Sequence, residues 1–593
     1  VAVSGHARRF YEEKMDKEKS FMRGLCMGQI HEDLVIPFPE IKEAERETLE
    51  TVTSSLGQML SSHRKDFVEW DRAGEFPPEF IEELKEFGLF SLIIPEESGG
   101  LGFGNAAYSR TLQEISKYDA SAAVTVGAHS SIGMRGLLLF GTAGQKELYF
   151  EKLATGEMIA AFCLTEPGSG SDAASIKTRA VKDGDDWILN GEKIWITNGG
   201  MADFFTVFAL TSGPDEKRKL SAFIVTRQMG GVSHGPHEDK MGLRASATNT
   251  MIFENVRVPK DHLLGEEGKG FKVAMNILNS GRSGLGGGAV GGMKNLIALS
   301  TKQANERIQF GKKISEFGLI KKKVGEMVVN CYAAESVVAL VAGLSDSGAE
   351  DYAIEAAISK VFSTEALWEA ADEALQIAAG NGFMKEFPYE QIVRDVRINR
   401  IFEGTNDILR LFIALNGLDD VGHNLKELAK SVKGVFDDPI KGFGVMSDYA
   451  LRRASFIAGI SGDSGSFSGV AGELSKEQRI VEEGTRQLAA VADRLLRRHG
   501  KKIIDRQFAT ARMADVMIHL YVLAAVLSRV TSSIQKNGAD AAQNEIRIAQ
   551  AFGSRTQRIV QHNVEEIDDN ADTQIKAIAV HAFELEKFGW DTI

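Results

Sequence analysis

The sequence predicts a mostly α-helical protein with one β domain set between helical regions. Three observations predict it. Apolar residues recur at helical spacing from Ile41 to about Phe150 and again beyond Pro259. Strand-length runs of β-rich composition fill residues 160–260. A Gly/Ser-rich stretch near 430–472 then separates a further helical region. The expected divisions are an N-terminal extension (1–40), an N-terminal α domain (41–158), a β-barrel domain (159–270), a helical bundle (271–428), a linker and candidate membrane-associating segment (429–472), and an additional α-helical domain (473–593).

Taken in order, the extension ends in an extended Ile36-Pro37-Phe38-Pro39. Phe80, Leu84 and Phe87 share one helix face, and Pro77-Pro78 open that helix. Ala120–Phe140 reads as a helix rich in small residues, where Gly127, Gly133 and Gly136 admit a close neighbour, helix or ligand. The β domain is read from Ile159–Leu164, Trp187–Leu189, Lys193–Thr197, Phe204–Leu210, Ala222–Thr226 and Thr250–Val258, with Asn190-Gly191 as a hairpin turn. Helices are expected over Phe271–Leu278, Asn295–Arg307, Ile320–Val341, Ala353–Ala379 and Ile408–Leu415. Gly434, Pro439, Gly442, Gly444 and Ser461–Gly469 mark a linker or loop. Ser475-Lys476-Glu477-Gln478 predicts a capping box, and the pairs Glu483/Gln487 and Asp493/Arg497 predict solvated faces.

Composition narrows the function classes. A chain of 593 residues holds three or four domains with ample core, and 43% hydrophobic with 25% charged residues is ordinary for a soluble enzyme. A net charge of −13 leaves a nucleic-acid role without an electrostatic footprint. Cys26, Cys163 and Cys331 lie far apart and form no paired framework, which argues for a reducing compartment and against secretion. The histidines show no HExxH spacing and there is no CxxC, so no metal is predicted. No apolar run approaches the ~20 residues of a membrane span; the closest, Tyr521–Leu527, reads as buried helix. Arg8 and Arg9 before Glu12 and Glu13 make a poor transit or signal peptide.

Several stretches carry chemistry. Gly286-x-Gly288-x-x-Gly291 matches the dinucleotide fingerprint in form only, because it follows a helical run instead of a strand. Gly265–Gly270 lacks the Ser or Thr that a P-loop places after its Lys. In Thr165–Asp172 a strand opens into a turn of Gly168, Ser169 and Gly170; its N–H groups and hydroxyls suit an isoalloxazine edge or a pyrophosphate, and an ordinary β-turn fits equally. Trp195–Gly200 adds an aromatic plate and a hydroxyl at a strand end, or else a core Trp. Arg307 and Phe310 would share one face at a helix end, or be a surface Arg beside a packing Phe, and Gln376–Gly382 would end a helix with glycines that permit close backbone approach, or form a plain C-cap. Ile401–Arg410 (IFEGTNDILR) sets Glu403 on a turn before a helix that Asn406 or Asp407 would cap. Taken alone, a solvated Glu at a capped helix start is the commoner reading; a base aimed into an apolar cleft is the other.

Together TEPGSGSD (165–172), WITNGG (195–200), LNSGR (278–282), RIQFG (307–311), QIAAGNGF (376–383) and IFEGTND (401–407) resemble the acyl-CoA dehydrogenase family, in that family's order and spacing. The length and the helical region after residue 430 resemble its very-long-chain branch, which has a C-terminal helical extension and includes a paralogue used in respiratory complex I assembly. The resemblance implies an α domain, a β-barrel and a four-helix bundle around FAD. It implies that Phe162, Cys163, Leu164, Thr165, Gly170, Ser171, Trp195, Ile196 and Thr197 line the flavin. Arg307, Phe310, Gln376 and Gly380 would reach the FAD of a dimer mate, and Thr405 and Asp407 the chain's own. Ser171, Asn279, Arg282 and Gly404 would hold acyl-CoA, and Glu403 would be the base. In the implied reaction Glu403 removes the α-proton of a long- or very-long-chain acyl-CoA, flavin N5 accepts the β-hydride, and a trans-2-enoyl thioester results. Electrons would pass to an electron-transfer flavoprotein.

The branch also implies a homodimer, and a bacterial cytoplasmic or mitochondrial matrix location with inner-membrane contact. Tyr449–Ile460 is a short basic amphipathic run suited to an anionic membrane, or to domain packing. Gly318 departs from the Gln of shorter-chain members, so no flavin contact is carried there. Residues 283–292 are glycine-rich even for the branch, which would lengthen an acyl tunnel or loosen the helix. Two alternatives stand beside the dehydrogenase: an assembly scaffold with residual activity, and an acyl-CoA oxidase.

Overall fold

The computed structural model describes residues 19–213, 216–433 and 465–592. In chain order it contains α1 (Phe21–Cys26), α2 (Glu43–Ser62), α3 (Asp66–Ala73), α4 (Pro78–Glu86), α5 (Asn105–Ser116), α6 (Ala120–Gly127), α7 (Arg135–Phe140) and α8 (Ala143–Ala154). Strands β1 (Ala160–Cys163), β2 (Arg179–Asp183), β3 (Asp186–Thr197), β4 (Phe204–Leu210), β5 (Leu220–Thr226), β6 (Val232–His237), β7 (Thr248–Val258) and β8 (Leu263–Leu264) follow. Then come α9 (Gly270–Glu306), β9 (Ile308–Gln309), β10 (Lys312–Lys313), α10 (Gly318–Asp346), α11 (Ala353–Ala378), α12 (Gly380–Phe383), α13 (Tyr389–Val396) and α14 (Asn406–Lys433). The last helices are α15 (Ser475–His499), α16 (Gln507–Asn537), α17 (Gln543–Glu566) and α18 (Asp572–Leu585). The described residues divide into two compact units, one of Phe38–Ile408 and one of Lys19–Pro37 with Leu409–Ile593.

In the first unit a sheet of eight strands runs β6-β7-β3-β2-β4-β5-β8, with β1 parallel to β4. No pairing between β8 and β6 closes it among the described residues, so the expected barrel is an open sheet. β4 shows why its sequence, FFTVFAL, does not alternate: both faces are covered. Phe204 and Phe208 join a core shared with the α-helices, while Phe205, Val207 and Ala209 join a second core with Phe223, Met251 and Phe253.

Three local expectations fail here for identifiable reasons. Asn190-Gly191 is not a hairpin turn; β3 runs straight through it with a bulge, and Asn190 Oδ1 accepts from the Asn255 N–H at 2.8 Å. The β2–β3 hairpin turns instead at Gly184-Asp185. The two helices expected at 271–278 and 295–307 are one, the 37-residue α9, which carries the glycine-rich block in its middle. Arg307 and Phe310 therefore share no helical face: α9 ends at Glu306, and both sit exposed on the β9–β10 hairpin, Phe310 at φ 51°.

In the second unit α1 packs on the C-terminal helices. The Phe21 ring lies 5.7 Å from that of Tyr521, and Ser528 Oγ donates to Val35 O. Glu32 accepts from the N–H and hydroxyl of Ser468 and from the Gly469 N–H. The expected capping box at Ser475 is absent: Leu474 is the N-cap, and Gln478 Nε2 donates to Phe467 O and Glu482 Oε1 instead. Glu483/Gln487 and Asp493/Arg497 pair as expected. α10 and α16 are long and apolar enough to cross a membrane, a feature the run-length reading missed; 67% and 83% of their most apolar windows are buried inside the protein. Tyr449–Ile460, Gly434, Pro439, Gly442, Gly444 and the start of the 461–469 stretch lie outside the described residues.

Candidate active site

The turn before α14 is built from unusual backbone. Glu403 stands at φ 58° and Gly404 at φ 90°, two consecutive left-handed residues. A non-glycine residue in that region costs roughly 1–2 kcal/mol, so surrounding contacts must hold it. They do. Thr405 Oγ1 accepts from the Ile408 N–H at 3.2 Å and caps α14, a role expected of Asn406 or Asp407. Asn406 is instead buried: its Nδ2 donates to Thr364 Oγ1 and Glu365 Oε1, and its Oδ1 accepts from Lys360 Nζ at 2.8 Å. Lys360 Nζ also donates to Gly404 O at 2.8 Å.

This backbone aims Glu403 inward. Its Oε2 is buried and has no hydrogen-bond partner among the described residues. Burial pushes its carboxyl above the usual range, against the pull of the Arg282 and Lys360 cations. Burial likewise brings Lys360 down to about 7 and Arg282 down to about 10, each partly offset by Glu403. The solvated Glu of the ordinary reading is thus not what the fold contains.

Glu403, Phe402 and Thr197 line one cleft with about 1470 Å³ of space, its open mouth included. The cleft follows α9 past Gly281, Gly284, Gly288 and Gly292 to Leu299. At ~1.5 Å rise per residue that wall is about 27 Å long. The glycines of α9 are packing devices on both sides. A Cβ at Gly287 or Gly291 would stand 2.6 Å from Ser109 O or 2.2 Å from Gln113 O, so α5 lies directly on the α9 backbone. Gly284, Gly288 and Gly292 present no side chain to the cleft. Ala123, Ile132, Leu367 and Ile392 make the other walls apolar.

The turn at Thr165–Asp172 is braced from below. Lys193, fully buried, donates to Glu166 Oε1 at 2.8 Å and Leu164 O at 3.1 Å, and Glu166 also accepts from the Thr178 N–H at 3.0 Å. Gly168 and Gly170 have open space around them, and Ser171 is exposed. The Ile194 N–H donates to Thr165 O at 3.0 Å and ties the turn to β3. A bulge in β3 sets Trp195 at φ 58° and leaves it 65% exposed, so it is no core Trp. A turn with open space at Gly168 and Gly170 and an exposed Ser171, tied to the strand that presents an outward aromatic plate, is a set of groups that fits a flavin and its phosphates.

The fold thus brings Thr197 and Glu403 into one cleft. Asn279 accepts from Arg282 Nη1 at 2.7 Å, on the helix turn that carries Gly281. Cys163, Leu164 and Ile196 are buried, with the Cys163 thiol pushed up to about 12 by burial; Phe162 is half-buried against Phe208. Gln376, Gly380 and Asp407 are exposed, like Arg307 and Phe310, and do not line the cleft. Sequence reasoning missed Lys360 on the Glu403 turn, and the α13 wall and Leu243 of the cleft. Lys360 had a signal, since it is a lone cation inside the apolar run Ala356–Phe362. Leu243 had none, because only tertiary folding brings it there.

Four family models match along the chain: the acyl-CoA dehydrogenase N-terminal domain over residues 42–157, middle domain over 161–256 and C-terminal domain over 268–418, and the ACAD9/ACADV C-terminal domain over 472–588. The human mitochondrial very long-chain specific acyl-CoA dehydrogenase is 45% identical over 543 residues, 89% of this chain and 81% of that protein. A crystal structure of acyl-CoA dehydrogenase complexed with FAD from Bacillus anthracis superposes with a TM-score of 0.77 at 31% identity, covering 95% of each chain. Butyryl-CoA dehydrogenase from Megasphaera elsdenii, at TM-score 0.61 and 34% identity, covers 64% of this chain and 99% of its own.

Proposed function

The chain belongs to the acyl-CoA dehydrogenase family, and from that premise we propose which of its residues carry the reaction and on which substrates. The protein is an FAD-dependent oxidoreductase that dehydrogenates acyl-CoA in fatty acid oxidation. FAD, when bound, supplies the acceptor for the substrate's β-hydride. Phe162–Thr165, Gly170, Ser171 and Trp195–Thr197 would hold it, with Thr405 and Asp407 beside it. Glu403 takes the α-proton at its buried carboxylate. The single observation that supports this role is Oε2, buried at the cleft and without a partner. Desolvation raises the basicity of such a carboxylate toward that of a weak carbon acid, and the apolar walls exclude water. Arg282, Asn279, Ser171 and Gly404 hold the thioester end of the substrate.

The preferred substrates are long- and very-long-chain thioesters. The ~27 Å glycine wall supports this: at ~1.3 Å per methylene, from carbon–carbon bonds of ~1.5 Å in a zigzag, it accommodates about 20 carbons. Exposed Arg307, Phe310, Gln376 and Gly380 form a surface that a dimer mate's FAD would complete. Electron-transfer flavoprotein is the proposed acceptor, and the matrix or the bacterial cytoplasm the proposed setting. In Glu403→Gln holoenzyme, FAD and acyl-CoA binding are expected to persist while reduction of the flavin by substrate falls at least ~10³-fold, as for loss of a general base. Turnover near the wild-type rate would refute the base assignment.

A further inference from the structure

Lys360 is a fully buried cation that bonds the Glu403 turn, and family order did not point to it. Its side chain is 0% exposed in the first half of α11, between the buried Ile358, Val361 and Phe362. Burying an ammonium costs several kcal/mol unless its hydrogens are bonded. Its bonds cross to the turn before α14, Gly404 O and Asn406 Oδ1, each at 2.8 Å. These acceptors lie one and three residues beyond Glu403. Bonding Gly404 O fixes the peptide after the left-handed pair, and bonding Asn406 fixes the first residue of α14. The turn is therefore clamped on its C-terminal side.

We propose that Lys360 is a positioning residue for the dehydrogenation. It holds the Glu403–Gly404 turn in its left-handed conformation and, protonated on the acid side, keeps a positive charge beside the carboxylate, so that Glu403 is aimed and its ionised form is favoured when substrate arrives. The inference rests on Glu403 being the base. The charge argument involves every ionisable group facing the pair: Arg282 from α9, Glu365 one turn further along α11, and Asp407 from α14. Arg282 adds a second cation, while Glu365 and Asp407 act on Lys360 in the opposite sense. Lys360 bonds the turn as well.

The sign follows. A cation beside Glu403 favours its ionised form, so removing the charge raises the carboxyl's value and moves the acid limb of kcat toward neutral pH. Lys360→Met, assayed as FAD-loaded full-length enzyme, is expected to move that limb up by about one unit, which lowers kcat about tenfold on the acid side. KM and the spectral change of bound FAD on adding trans-2-enoyl-CoA should stay within about twofold. Lys360→Arg, which keeps charge and donors, should recover part of both the rate and the profile.

Unchanged kcat and pH profile in Lys360→Met overturns the proposal. So does a fall of kcat and Tm together with no movement of the acid limb and no recovery in Lys360→Arg, which is what a purely structural lysine would give. If Lys360→Met does not accumulate as holoenzyme, Asn406→Ser carries the test. It removes one acceptor and leaves the ammonium, so it should lower kcat at constant KM, and wild-type kcat there overturns the proposal. Turnover in Glu403→Gln would instead remove the base assignment itself. An inactive Glu403→Gln beside a wild-type-like Lys360→Met removes only the role of Lys360.

Discussion

At the scale of single residues, the site depends on charges that the fold has removed from water. Glu403 is one and the Lys193–Glu166 pair is another. Burial alone would raise the Glu166 carboxyl, but Lys193 and the Thr178 and Lys177 N–H donors outweigh it, so its folded value is lowered. A carboxyl lowered on folding contributes stability above its unfolded value and loses it as pH falls through the folded one. The brace under the 165–172 turn should therefore weaken below about pH 4.3, the ordinary glutamate value. Lys193→Met leaves Glu166 buried without its cation, and should cost about 3–5 kcal/mol. Thermal melting would read the stability, and flavin absorbance would show FAD released along with it. A melting temperature and FAD content equal to wild type would contradict the brace.

At the scale of elements, α9 does two jobs with one residue type. Its 287/291 face lies against the backbone of α5, while at Gly284, Gly288 and Gly292, which line the cleft, an added Cβ would meet only side chains, at 3.0–3.1 Å. The faces should fail differently. Gly291→Val drives atoms into Gln113 O and should destabilise by about 1–3 kcal/mol or more without changing substrate preference, measured by denaturant unfolding. Gly288→Leu fills the cleft about 10 Å along α9 from Gly281. It should lower kcat/KM for long-chain thioesters at least ~10-fold while medium-chain turnover persists, because an overfilled apolar site rejects what no longer fits. An equal loss at all chain lengths would mean that α9 does not line the acyl site. The sequence-level reading treated 283–292 as one unusual block; only packing separates its two faces.

At the scale of the whole molecule, the N-terminal segment changes its assignment. Residues 19–37 belong to the same compact unit as the C-terminal helices, where Phe21, Met22, Leu25 and Cys26 are buried and Glu32 gathers the N–H groups of Ser468 and Gly469. Removing residues 19–37 should expose Tyr521 and its neighbours and lower the stability of that unit by several kcal/mol. Limited proteolysis should then cut within 475–566 first, while 42–408 stays resistant. Resistance equal to wild type would refute the coupling.

The sequence alone carried the order and type of most elements, because helical and strand periodicity are local, and its motifs singled out Glu403 and Thr197, which the fold brings to one cleft. Three-dimensional folding decided the rest. It made the barrel an open sheet, merged two expected helices into α9, moved the cap of α14 to Thr405, and placed Lys360 on the Glu403 turn. Each of these is a contact between segments far apart in sequence. Which backbone groups such contacts satisfy, and which side chains they bury, depends on partners that local periodicity does not name.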